Sequence, residues 1–190
     1  MDEGLPAASM GLRRFVGGVA IVAAALLVTG CATMPGPPTR LGENYPGTCM
    51  PSELTWPTDF LEALPSESSA VGGAVVGLRL EYVGERWAWR IRSAAERTDV
   101  FGERVEDPAA GREALVDVRT LEPFATRDVQ LTEAEQTAGS GAYSAADRAG
   151  ETYPSPLIIE MARVMDEGSA VWQITTCDTA TNEQTVMTMR

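Results

Sequence analysis

Two stretches of the chain alternate apolar and polar residues with a period of two. In the first, Val76, Leu78, Leu80 and Tyr82 alternate with Gly77, Arg79 and Glu81. That period places the apolar residues on one side of a strand. Val83-Gly84-Glu85 turns the chain, and Trp87, Trp89 and Ile91 then alternate with Ala88, Arg90 and Arg92. An antiparallel hairpin with one dry face is expected over 74–93. The second stretch, 157–176, repeats the first. Leu157, Ile158, Ile159, Met161 and Val164 supply a strand, Asp166-Glu167-Gly168 turns, and Val171-Trp172-Gln173-Ile174-Thr175 returns. Trp89-Arg90-Ile91 and Trp172-Gln173-Ile174 fall 83 positions apart, so the pattern reads as an internal repeat.

Each hairpin is followed by a third apolar run. Glu113 to Arg119 is a short strand ending in the turn Thr120-Leu-Glu-Pro123, and Gln184 to Met189 alternates to the end of the chain. Each is also preceded by helix signals. Thr58 can cap 59–64, with Pro65 as a stop; Thr132-Glu-Ala-Glu135 is a capping box, with a further helical turn over Tyr143 to Ala149. The stretch from Ala94 to Arg112 reads as a long polar loop. The fold class expected is therefore α+β: two helix-plus-three-stranded antiparallel units (αβββ) packed together, over 51–125 and 126–190. A single mixed sheet is the alternative.

The N-terminal end has a different character. Arg13 and Arg14 precede a 14-residue apolar run from Phe15 to Val28. As a helix that run would span about 21 Å, too short for a hydrocarbon core of about 30 Å. Val28-Thr29-Gly30-Cys31 follows, and resembles the lipobox of bacterial lipoproteins. The resemblance implies a signal peptide over 1–30, diacylation of Cys31 and cleavage that makes Cys31 the new N-terminus. Two acyl chains suffice for stable anchoring. Asp2 and Glu3 are unusual in such a signal, and Met10-Gly-Leu-Arg-Arg is a more compact start, so Met1 and Met10 are both candidate starts. Residues 31–50 read as a disordered, lipidated tether, Pro/Gly-rich from Ala32 to Arg40. The location implied is the extracytoplasmic face of the cell membrane.

The repeated pattern also resembles the PepSY module, a helix followed by three strands. The residues that carry the likeness are Val75-Val76-x-Leu78-x-Leu80, Trp89-x-Ile91 and Val116-Asp117 with Thr120 after it, then Ile158-x-x-Met161 and Trp172-x-Ile174. The second copy has Val186-Met187 in place of the Val-Asp pair, and Leu121 stands where the family usually has Gly. The resemblance implies a role beside envelope proteases, as inhibitor or sensor.

Composition narrows the chemistry. The chain has no His and no Lys, 15 Arg, 27 acidic residues and a net charge of −12. Imidazole-based catalysis, imidazole metal ligation, Schiff-base lysines and P-loop lysines are excluded. The charge argues against nucleic acid. No cofactor and no metal are expected, because the acidic clusters at Glu103/Glu106/Asp107 and Asp166/Glu167 lack the six to eight spaced ligands of a calcium site. Cys49 and Cys177 read as a disulfide in an oxidising compartment. Trp87, Trp89 and Trp172 are candidate binding residues whose commoner role at strand spacing is core; Trp56, beside Pro57, is harder to place. Asp117 is a candidate contact residue, or a strand-end Asp bonding the following turn.

The function expected is a non-enzymatic lipoprotein of binding or regulatory type, contacting an envelope protein or peptide through its sheet. An exposed third strand in each copy is the expected point of contact, by strand addition. The alternative is a small-ligand or cell-wall-binding lipoprotein using a groove between the two copies.

Overall fold

The structure, a computed structural model, describes residues 34–45, 49, 73–94, 107–150 and 156–190, with the backbone of 97–98 and 104–105. The first alternating stretch forms β1 (Val75–Val83) and β2 (Arg86–Ala94). The second forms β7 (Leu157–Asp166) and β8 (Ser169–Cys177). Both hairpins close on two residues with positive φ, Gly84-Glu85 (56° and 62°) and Glu167-Gly168 (48° and 79°). That backbone matches the right-handed twist of the strands it joins. Between the hairpins run a two-residue ribbon, β3 (Arg97–Thr98) with β4 (Arg104–Val105), then β5 (Ala110–Asp117) and β6 (Pro123–Gln130). Two short helices follow, α1 (Glu133–Gln136) and α2 (Ala142–Ala149), and β9 (Gln184–Met189) ends the chain.

The expected pair of αβββ units is not what forms. The strands make one seven-stranded antiparallel sheet in the order β6-β5-β2-β1-β7-β8-β9. The reason lies in β1 and β7, which pair with each other through Gly77↔Ala162, Leu78↔Met161 and Arg79↔Glu160. Backbone hydrogen bonds therefore run straight through the supposed boundary, and neither hairpin keeps an edge there. A further strand, β6, crosses the expected division at 125/126. The expected helix over 59–64 lies outside the described residues.

The repeat itself has a geometric meaning. In one hairpin Leu78 pairs with Ile91 and Leu80 with Trp89; in the other Met161 pairs with Ile174 and Arg163 with Trp172. Each hairpin carries a bulge at the matching place, Val75/Gly77 and Ile158/Glu160. Leu78 and Met161 occupy equivalent repeat positions and face each other across the sheet's centre. The two hairpins are thus related about that single residue pair.

The turns add a second repeat on another spacing. Asp117 Oδ1 accepts from the backbone N–H of Arg119 and Thr120, at 2.9 and 3.1 Å. Asp178 Oδ1 accepts likewise from Ala180 and Thr181, at 2.8 and 3.0 Å. Thr120 and Thr181 then accept from Glu122 and Glu183. An Asp-x-x-Thr-x-Glu sequence thus builds the same Asx-type turn before β6 and before β9.

One face of the sheet is dry. Leu78, Leu80, Trp87, Trp89, Ile91, Val116, Met161, Trp172 and Ile174 are buried there with Ala142, Ala145 and Ala146 of α2. Thr132 caps α1 in a complete capping box with Glu135, as the sequence predicts. The disulfide between Cys49 and Cys177 ties the start of the fold to the end of β8. Beyond Arg79 the β1–β7 ladder stops, and Tyr45 and Asn44 take over the freed carbonyls of Leu80 and Tyr82. The Tyr45 ring packs edge-on against Trp87 at 4.6 Å, and burial pushes its hydroxyl well above the usual tyrosine range.

Candidate functional site

The opposite face of the central strands is charged and yet largely buried. Residues directly opposite each other in the ladder share a face. The register therefore gathers Arg79, Glu81, Arg90, Arg92, Glu113, Arg127 and Glu160 on one side. Arg90 is 3% exposed, Glu81 0% and Glu113 1%. Arg90 grips Glu81 with two parallel bonds, Nε to Oε1 at 2.8 Å and Nη2 to Oε2 at 2.9 Å. Its Nη1 donates to Glu113 Oε1 at 2.6 Å, and Arg127 pairs with the same oxygen. Arg92 lies 3.0 Å from Glu135 of α1, and Arg79 3.5 Å from Glu160. Four acids meet four arginines, so the buried network is neutral.

The electrostatics follow from burial and pairing. Burial lowers the Arg90 pKa, but the hydrogen bonds and charges of Glu81 and Glu113 outweigh it, and the net direction is up. Glu160 is raised by desolvation, which exceeds the lowering by Arg79 and by the Thr175 hydrogen bond. Arg163 lies on the other face, opposite Trp172, and no carboxylate pairs with it among the described residues. Its guanidinium donates to the carbonyls of Thr137 and Ser140, at 2.9 and 3.1 Å, and lies 5.2 Å from the Trp172 ring. Desolvation lowers its pKa. A side chain on Gly139 would press on this guanidinium and displace it, whereas Gly141 has open space around it.

Two further features of the charged face matter. The proline-rich segment lies along it as a strap: Arg90 Nη2 donates to the Pro35 carbonyl at 2.9 Å and Arg79 Nη1 to the Pro38 carbonyl at 3.1 Å. Within the tether expected to be disordered over 31–50, the stretch from Pro35 to Pro38 is therefore docked, because these two arginines supply donors to a backbone with no ladder of its own. Beneath the strap, at the β1–β7 junction, is a half-open cleft of about 190 Å³, lined among others by Pro37, Arg79, Arg92, Glu135, Glu160 and Arg163. Each of its acids has an arginine partner.

The sheet has two free edges of unlike character. β6 carries Pro123, Arg127 and Asp128, residues that discourage further pairing. β9 reads Gln-Thr-Val-Met-Thr-Met, with no charge and no proline. The bond from Asp178 N–H to the Glu183 carbonyl fixes which residues face β8. By antiparallel alternation Thr185, Met187 and Met189 bond inward, and Gln184, Val186 and Thr188 point N–H and C=O outward. Val186 is 59% exposed.

The candidate residues separate. Trp87, Trp89 and Trp172 are buried in the core and form no exposed stacking surface. Trp172 instead donates its indole N–H to the Ser140 carbonyl at 2.7 Å. Asp117 closes a turn. Trp56 and Cys31 lie outside the described residues. The third strand of the first copy, β5, is not exposed as expected: β6 covers its outer side. The Arg90–Glu81–Glu113 network went unnoticed in the sequence, although Arg79, Glu81, Arg90, Arg92 and Glu113 at one strand phase were a readable signal.

Among the described residues no helix is long and apolar enough to cross a membrane. No known family's profile matches the chain, and no curated protein matches its sequence. A crystal structure from Clostridium difficile 630, described only provisionally as a lipoprotein, is similar over 60% of this chain and 82% of its own, at 12% identity and a TM-score of 0.29. That likeness is too low to carry an argument.

Proposed function

We propose that the chain is a lipid-anchored protein of the extracytoplasmic membrane face that binds a protein partner by strand addition at β9, without a catalytic step. The anchor rests on the Val28-Thr29-Gly30-Cys31 sequence. The binding mode rests on one observation: β9 is an uncharged, proline-free edge strand with outward-facing backbone at Gln184, Val186 and Thr188. Soluble proteins blunt such edges unless the edge is used. Main-chain hydrogen bonds would supply affinity, and the exposed Val186 side chain would contribute to selectivity.

The test uses the outward alternation. Val186→Pro removes an outward N–H and leaves the β8–β9 ladder intact; Met187→Pro breaks the ladder. Crosslinking of the full-length protein in its own membrane is expected to lose its adduct in Val186→Pro, with thermal stability nearly unchanged. An undiminished adduct would refute strand addition at β9. The cleft under the strap supports a second reading, a small-ligand site at the junction of the hairpins. Ligand-dependent quenching of Trp172, whose ring lies against Arg163 in the cleft wall, would favour it.

A further inference from the structure

The strap limits how far the folded part can stand from its anchor. Arg90 is held by Glu81 and Glu113 and is 3% exposed, so the point where it grips Pro35 is fixed. Three residues lie between Cys31 and Pro35, a path of four Cα–Cα steps. Fully extended, four residues reach about 14 Å. The headgroup layer on one side of a bilayer itself takes about 5–8 Å. Little length is left for a stand-off.

Direction follows from the order of contacts. Pro38 lies over Arg79 on β1, and Pro35 over Arg90 on β2. From Pro38 to Pro35 the strap therefore runs from β1 to β2, toward the side of the sheet where β5 and β6 lie. On that side Phe124 is 41% exposed, and the Arg86 guanidinium lies 4.9 Å over its ring. An aromatic ring with a cation beside it suits the headgroup region of a bilayer. Of the charges on that side, Glu113 is paired with Arg127, and exposed Arg86, Arg112 and Arg119 partly offset Glu85, Asp107, Asp117, Glu122 and Asp128.

We infer that the β5–β6 side of the sheet, with Phe124 and Arg86, rests against the phospholipid surface that holds the Cys31 acyl chains. The inference rests on the lipid-anchor reading above. It leaves β9, at the opposite end of the sheet, turned away from the bilayer and open to a partner.

The experiment places one environment-sensitive fluorophore on the full-length lipidated protein, through Phe124→Cys or, as control, Val186→Cys. The protein is reconstituted into phosphatidylethanolamine/phosphatidylglycerol vesicles containing brominated acyl chains. The label at 124 is expected to be quenched at least twofold more than the label at 186. Insertion of 20 Gly/Ser residues after Thr33 is expected to abolish that difference while the protein stays on the vesicles. Equal quenching at both positions on vesicle-bound protein overturns the orientation alone. Failure of the protein to bind vesicles, with Cys31→Ser behaving identically, overturns the anchor and the orientation with it.

Discussion

Replacing Arg90 by Met tests how far the buried network holds the sheet together. Arg90 sits between two carboxylates that are 0% and 1% exposed and makes three charge-assisted bonds of 2.6–2.9 Å. Methionine fills much of the volume but removes the charge. Glu113 keeps Arg127, whereas Glu81 has Arg90 as its ion-pair partner among the described residues. Breaking one side of a buried pair costs about 3–5 kcal/mol, because the remaining ion is left uncompensated. Domains of this size are stable by about 5–15 kcal/mol in total, so the loss is readily measured. The assay is urea unfolding of residues 34–190 with the disulfide intact, followed by tryptophan fluorescence. Glu81→Leu/Arg90→Met is expected to be at least about 2 kcal/mol more stable than Arg90→Met alone, since it removes the stranded acid. A double variant that shows the plain sum of the two single losses would refute the reasoning.

Four other outcomes follow from the same structure. Cys49→Ala/Cys177→Ala opens a loop of 128 positions and is expected to cost about 4–5 kcal/mol in urea unfolding. Glu160 is raised by burial, so its contribution is present at low pH and lost as pH rises above about 4.3; the stability of wild type minus that of Glu160→Gln is therefore expected to fall between pH 4 and 7 in parallel urea titrations. Glu85 holds a φ of 62°, and Glu85→Asn is expected to raise stability by about 0.5–1 kcal/mol in thermal unfolding. Asp117→Ala and Asp178→Ala each remove an acceptor of two backbone N–H groups and are each expected to cost about 1–2 kcal/mol, equal within error because the turns match.

The sequence made the hairpins legible because each buries one face, and one-sided burial writes a period of two into the residues. Trp89 and Trp172 marked the repeat correctly, down to the shared register and bulge. The capping box at Thr132 was equally readable, since its chemistry is local. Joining β1 to β7 was not readable. That pairing rests on three backbone positions, and Leu78 and Met161 would be apolar in either arrangement. β6 escaped for the opposite reason: as an exposed edge opening on Pro123, it has no apolar alternation to betray it. The Asp-x-x-Thr-x-Glu turns stood in plain view, but 61 positions apart, off the 83-residue spacing that organised the hairpins.

The site was less legible than the fold. Trp87, Trp89 and Trp172 went to the core, as large apolar residues at strand spacing usually do. The arginines and glutamates of the central strands looked like a solvated face; only the strap, α1 and the pairing of opposite charges make burial tolerable there. The docking of Pro35 and Pro38 could not be read from a segment without periodicity, since it depends on donors from strands far along the chain.

The central claim is that β9 receives a partner strand, and a photo-crosslinking residue at Val186 in the full-length protein, in its native membrane, tests it most directly. The account predicts a single protein adduct at 186 that disappears when Thr188→Pro removes the next outward N–H. No adduct at 186, or the same adduct persisting in Thr188→Pro, would contradict it.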